Sequence, residues 1–419
     1  MVVKYTTESG LVVLLEPIEG VVSISAGLWV KAGSRHEMSG QHGYAHFIEH
    51  MLFKGTEKYS ARDIARLVDR VGGQHNAATN REYTCYYINV ISDHLPLTIE
   101  ILADMYYRSL FDNAEIDKEK NVILEEIRMY EDTPDELVHD HFIEAILSDH
   151  PLGHSIIGDV GSIAGVSRKK LIDFFEDYYL NNNCFFVIAG KFDLDEAKRL
   201  IDVCFNSGRV KNIPGKPDPA VPKRIFRRHL QRDLEQVHFC LGAEGVNKND
   251  DDRWALYALS TLLGGSMSSR LFQNIREKEG LCYSIYSFHS SYIDRGIFGI
   301  YCGTSPDNFD RVMELILEEC RELMKNGVAG EELLDTKTYI KGNIALSMES
   351  TEVRMGQLAR NEMNYGRYIP FEEIVANIDK ITCDDLTRIT ERLFGNQALS
   401  LVSIGNLKDD GRYKTEIKL

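Results

Sequence analysis

The segment Ile163-Ala-Gly-Val-Ser-Arg-Lys-Lys-Leu171 returns without a gap as Ile378-Asp-Lys-Ile-Thr-Cys-Asp-Asp-Leu386. The same offset of 215 residues pairs Asn181 with Asn396, Val187 with Val402 and Gly190 with Gly405. Two generic helix–strand units can look alike by chance, but a constant offset is the mark of a duplicated structural unit. The chain is thereby restricted to folds that can be built twice. In each copy a hydroxyl residue, Ser167 or Thr382, stands where a helix N-cap accepts an orphan backbone N–H. Apolar residues at 171, 174 and 178, and at 386, 389 and 393, follow at helical spacing. Each copy then closes with a β-rich run ending in glycine, Cys184–Gly190 and Ala398–Gly405.

The boundary between the copies is marked by Pro214, Pro217, Pro219 and Pro222, four of only ten prolines in 419 residues. Proline-rich segments stay extended and act as spacers. The expected organisation is a first half over 1–213, a linker over 214–222 and a homologous second half over 223–419. Strand-like runs at Val22–Val30 and Val237–Gly245 each precede two helical stretches. Paired strands follow, Gln74–Thr79 with Tyr83–Val90 and Cys282–Phe288 with Gly296–Gly303, and then long helices. Strands in pairs with helices in runs predict an α+β fold: two two-layer α/β halves, each a mainly antiparallel sheet with helices packed on one face.

Charge narrows the partners. Sixty-four acids against 48 bases give a net charge of −16, the opposite of the basic footprint of a phosphate-binding protein, so no nucleic acid is expected. No apolar run approaches the ~18–20 residues of a membrane span, and Cys184–Gly190 is too short. The first ten residues carry neither a signal-type apolar core nor an Arg-rich transit pattern. The eight cysteines form no C-x-x-C pair, which reads as reduced thiols. These features together predict a cytoplasmic protein with no membrane association.

The chemistry concentrates in Gly43-Tyr-Ala-His46-Phe-Ile-Glu49-His50-Met-Leu-Phe53. On a helix His46 and His50 project within about 40° of each other, so two imidazoles can share one metal ion. Glu49 lies about 60° round from His46, within reach of a water on that ion. The pattern is H-x-x-E-H, the inverzincin signature. With 13 His in 419 residues, chance supplies roughly 0.03 such matches per chain. His42 extends the stripe but precedes the helix, and it reads as solvated. A catalytic zinc site needs a third protein ligand. The acid-rich helical stretch Asn113–Glu131 offers Glu119 and Glu126, seven apart and on one face, with Glu125 directed elsewhere. From the pattern alone these are either paired carboxylates or a solvated acidic face.

The residues reached so far resemble the pitrilysin family of zinc metallopeptidases. Its pattern is H-x-x-E-H, then a ligand Glu about 76 residues on and another Glu seven before that. Glu126 lies 76 past His50, and Glu119 seven before Glu126. The resemblance implies zinc ligands at His46, His50 and Glu126, one ion per chain. It implies a general base at Glu49 and a carboxylate at Glu119 that orients a ligand. Gly72-Gly-Gln-His-Asn76-Ala77-Ala-Thr79 is similar to the family's edge strand, which pairs with an extended substrate; Asn76 and Ala77 would touch it. Arg276 through Tyr283 resembles the family's substrate element, with Arg276 holding a substrate carbonyl and Tyr283 donating to the oxyanion. Without the resemblance, Tyr283 reads as a packed strand residue. The corresponding helix of the second half, Asp252–Leu263, contains no H-x-x-E-H.

The function so implied is a zinc-dependent endopeptidase or oligopeptidase acting on unfolded peptides. Long family members hold four such halves and this chain two, which implies a homodimer around a closed chamber, similar to short bacterial members. A non-catalytic structural subunit of the same family is the rival reading, against which the chain retains both His, both Glu and the Arg–Tyr pair. A metal-binding fold with a non-peptide substrate is a second. Past Glu126, Glu136 and Asp140 lie one helical turn apart in a continuing acidic stretch, where the processing-peptidase branch carries substrate-facing acids. Either they read a basic side chain, or they form a solvated face.

Overall fold

A computed structural model describes residues 2–213, 225–395, 399–407 and 417. The linker prolines at 214–222, together with Asn396 and Ala398 of the second repeat, lie outside the described residues.

One sheet contains β1 (Val3–Thr6), β2 (Val12–Pro17), β3 (Ser23–Val30), β4 (Gln74–Thr79), β5 (Thr84–Ile91) and β6 (Cys184–Gly190), in the order β1-β2-β6-β3-β5-β4. The other contains β7 (Arg227–Gln231), β8 (Val237–Glu244), β9 (Cys282–Ser291), β10 (Gly296–Thr304) and β11 (Ser400–Gly405), in the order β7-β11-β8-β10-β9. With β1 set aside, the two orders are the same. Only β2/β6 and β7/β11 are parallel pairs; the rest are antiparallel. The mixed α/β, mainly antiparallel architecture expected from the strand pattern is present in both copies, and the repeat extends to topology.

Two local devices recur at the 215-residue offset. Ser167 caps the Arg168–Tyr178 helix by accepting from Lys170 N, and Thr382 caps Cys383–Thr390 by accepting from Asp385 N. Gly190 and Gly405 end equivalent strands at φ +135° and +148°, where a Cβ would lie 2.3 Å from Ser23 O or 2.8 Å from Gln236 O. Only glycine meets both demands.

The compact units do not follow the sequence cut. One unit takes the chain up to Met129, resumes at His154 and takes back Ser347–Ile369; the other takes Tyr130–Gly153 and most of the remainder. The reason is the burial of the strands. Every residue of β6 is buried, so both faces of its sheet need cover. One face packs Leu15, Leu28, Phe186 and Ile188 under helices from the first half of the chain. The other packs Leu14, Trp29, Phe185 and Val187 against Met355, Leu358 and Ala359 of the Thr351–Tyr365 helix. That helix is pinned by Arg354 on Glu16 and by Ser25 Oγ with Thr351 Oγ1 at 2.9 Å. Reciprocally, Leu137, Val138 and Phe142 of the Pro134–Ile146 helix pack on Cys240, Tyr301 and Val402 of the second sheet. Each half lends the other one helix for its second face.

All eight cysteines are free, five of them buried. Among the described residues no helix is long and apolar enough to cross a membrane.

Candidate metal centre

The helix Tyr44–Leu52 buries Tyr44, Ala45, Phe47, Ile48, Met51 and Leu52, which leaves His46, Glu49 and His50 on its half-exposed face. Its start is fixed from outside. Gly43 holds φ +90°, and a Cβ there would lie 2.6 Å from Ile157 O. The buried Glu37 carboxylate accepts from Gly43 N at 2.9 Å and Ala45 N at 2.8 Å. Burial pushes Glu37 up to about 8, against the opposing pull of those backbone donors.

The helix Asn113–Glu131 buries Ile116, Glu119, Ile123 and Ile127. Glu126 is half-buried beside that stripe, while Glu125 is exposed and pairs with Arg128. One ligand atom each of His46, His50 and Glu126 lies within 4.8 Å of the others, the one such three-residue group among the described residues. The imidazole rings are 4.7 Å apart, and His50 Nε2 stands 3.7 Å from Glu126 Oε2. His50 Nδ1 pairs with Glu119 Oε2 at 3.0 Å, and Lys54 Nζ donates to Glu119 Oε1 at 2.7 Å. A proton on Nδ1, donated to Glu119, would leave the His50 Nε2 lone pair for the group it shares with His46 and Glu126.

The electrostatics agree with a ligand set. Burial, then the neighbouring His50, lowers His46 to about 3, so its imidazole is neutral, and its Nδ1 is buried without a hydrogen-bond partner. Burial lowers His50 too, but Glu119, Glu126 and Glu49 outweigh it and the net shift is upward. Burial would raise Glu119; His50 and Lys54 overcome it, and the group stays below its ordinary value. Burial raises Glu49, opposed by a hydrogen bond from Thr79 Oγ1 at the end of β4. Two neutral-capable imidazoles, one carboxylate and a carboxylate behind one imidazole fit a zinc ion with an open coordination position.

β4 is the edge of its sheet, as expected, with Asn76 exposed and Ala77 packed against the core. Thr79, Lys54 and Glu37 had no part in the sequence reading. For Lys54 and Thr79 a signal was present (a Lys four after His50, a Thr three after Asn76), but it acquires meaning only through partners distant in the chain.

The other expected residues belong to the second unit. Arg276, on the helical turn Phe272–Lys278, lies over the Phe272 ring at 4.5 Å and the Tyr283 ring at 5.5 Å. Tyr283 is 78% exposed, so it is no packed strand residue. Glu136 and Asp140 are one turn apart as predicted, but not on a continuation of the Glu126 helix. Thr133 adopts φ −113° and ψ 82°, and Pro134 opens a new helix, Pro134–Ile146. A residue before proline is steered away from helical backbone, which corrects the expected continuity. His42 is half-buried rather than solvated.

The fold and the donor set define a candidate hydrolytic metal centre, and comparison with known proteins places it. The profile "Insulinase (Peptidase family M16)" matches residues 12–160, and "Peptidase M16 inactive domain" matches 165–339. An uncharacterized zinc protease of Bacillus subtilis is 38% identical over 96% of this chain and 98% of its own. One from Streptomyces coelicolor is 35% identical over 97% and 90%. The fold is shared with a protease from Helicobacter pylori, with a TM-score of 0.90 and 24% identity over 97% of this chain and 99% of that one. The chain belongs to peptidase family M16, the pitrilysin family. The profile termed inactive falls mostly on the copy without H-x-x-E-H, and the relatives' names attach zinc and proteolysis to the family.

Proposed function

We propose that this chain is a zinc-dependent endopeptidase or oligopeptidase that hydrolyses unfolded peptides in the cytoplasm, working as a homodimer around a closed chamber. The observation that carries the reading is the convergence of His46, His50 and Glu126 within 4.8 Å, with Glu49 on the same helix face. When bound, Zn²⁺ supplies a Lewis acid for the scissile carbonyl and lowers the pKa of water towards ~7. His46, His50 and Glu126 hold the ion, and Glu119, braced by Lys54, orients His50. Glu49 accepts a proton from the attacking water and returns it to the leaving amine, with Thr79 fixing the carboxylate. The free edge of β4, at Asn76 and Ala77, pairs with an extended peptide main chain. Arg276 holds a substrate carbonyl, and the Tyr283 hydroxyl donates to the oxygen on which negative charge develops.

Metal analysis combined with a quenched-peptide assay on purified protein tests the reading. One zinc per chain and peptide cleavage are expected. Glu49→Gln should keep its zinc yet lose about 10²–10⁴-fold in turnover. Zinc-loaded wild type that cleaves no member of a peptide library would instead favour a structural subunit.

A further inference from the structure

Two glycines bring a second pair of histidines together. Gly43 and Gly158 both hold positive φ, +90° and +83°, and their segments touch backbone to backbone. A Cβ on Gly158 would lie 2.4 Å from His42 O, and one on Gly43 would lie 3.0 Å from Gly158 Cα. That approach sets the His42 and His154 rings 4.1 Å apart at 46°. The separation is shorter than the 4.7 Å between His46 and His50. The likeness extends to hydrogen bonding: His42 Nδ1, like His46 Nδ1, is buried without a partner. A buried imidazole nitrogen in that condition calls for a bound water or ion. His154 is exposed, so the pair is open to solvent on one side. Asp159 is near enough to interact electrostatically with His42, while its oxygens are engaged by Ser162 N and Oγ.

We propose that His42 and His154 form a second divalent-cation site, distinct from the His46–His50–Glu126 centre. Each contributes one ring nitrogen, water completes the coordination, and Asp159 offsets charge from outside. Imidazole donors suit Zn²⁺, Ni²⁺ and Cu²⁺. Among the described residues the pair belongs to no group of three His, Cys, Asp or Glu donors, so the site binds more weakly than the first. An ion there ties the turn that opens the Tyr44–Leu52 helix to the segment 154–158. Binding to the folded chain alone then raises its thermal stability.

The test is equilibrium dialysis of the full chain against buffered Zn²⁺, with metal analysis and a parallel measurement of Tm. Wild type should take up a second equivalent at tenfold or more higher free zinc than the first, with Tm rising as it loads. His42→Gln and His154→Phe should each lose the second equivalent and its Tm increment while keeping the first. Phenylalanine preserves the ring contact without a donor nitrogen, so loss in that variant is no packing defect. Wild type saturating at one equivalent, or a second equivalent surviving in either variant, overturns the proposal.

Discussion

His46, Glu49 and His50 share a direction because the other residues of their nine-residue helix that carry bulk are apolar and buried. The sequence shows that spacing directly, since a helix turns about 100° per residue whatever surrounds it. The third ligand is different in kind. Glu125 and Glu126 are adjacent and chemically identical; the seven-residue spacing from Glu119 and the resemblance point to Glu126, and the burial of Ile116, Glu119, Ile123 and Ile127 agrees by turning that side of the helix inward. Zinc content therefore separates them. Glu126→Gln, like His46→Ala and His50→Ala, should lose the metal, whereas Glu125→Gln should remain fully loaded. The reverse pattern would reassign the carboxylate. Glu119 was legible by its seven-residue spacing and, through the resemblance, as a carboxylate that orients a ligand. Its action on His50, and the part of Lys54 in holding it, required the two helices to be docked.

The Tyr44–Leu52 helix carries two of the three candidate ligands but is anchored by a residue outside it. Glu37 is buried and accepts from the first backbone N–H groups, and its pKa is raised to about 8. The sign follows from linkage. A carboxyl with a raised folded pKa binds more protons folded than unfolded, so its stabilising contribution is complete below about 4.5 and is lost as pH rises towards 8. Denaturant unfolding followed from pH 4.5 to 8 should show this decline in wild type and a flatter profile in Glu37→Gln. An unchanged slope in the variant would remove Glu37 from the account. No sequence pattern marks this residue, because a cap six residues upstream is recognised only once the intervening turn is closed.

Across the whole molecule, duplication gives two sheets of the same strand order, β1 set aside. One copy has the candidate metal ligands His46, His50 and Glu126, and the other the Arg276–Tyr283 element. If the proposed homodimer supplies that element from its partner, chains of Glu49→Gln mixed with chains of Tyr283→Phe should regain partial activity through hybrid dimers. No recovery despite verified subunit exchange would show that each chain acts alone. In the proposed homodimer the acids on the Pro134–Ile146 helix are expected to bear on substrate choice. Glu136 and Asp140, one turn apart, are expected to favour Arg near the scissile bond through its planar bidentate fork. A peptide series varying one position from Arg to Ala should show a kcat/KM ratio that falls in Glu136→Gln/Asp140→Asn. An unchanged ratio would assign these acids to the solvated surface.

What the sequence by itself determined is local or periodic: the repeat, the helix caps at Ser167 and Thr382, the two-histidine face, the strand at Gln74–Thr79. Each depends on backbone geometry within a few residues or on copying of the chain. What only the tertiary structure decided depends on which surfaces need cover. Central strands such as β6 and β11 are buried on both faces, and sequence periodicity cannot say which helix will cover the second. The answer, a helix lent by each half to the other, follows from burying Trp29 and Phe185 in one sheet and Cys240 and Val402 in the other. The same packing sets Glu126 beside His46 and His50 and brings Thr79 to Glu49.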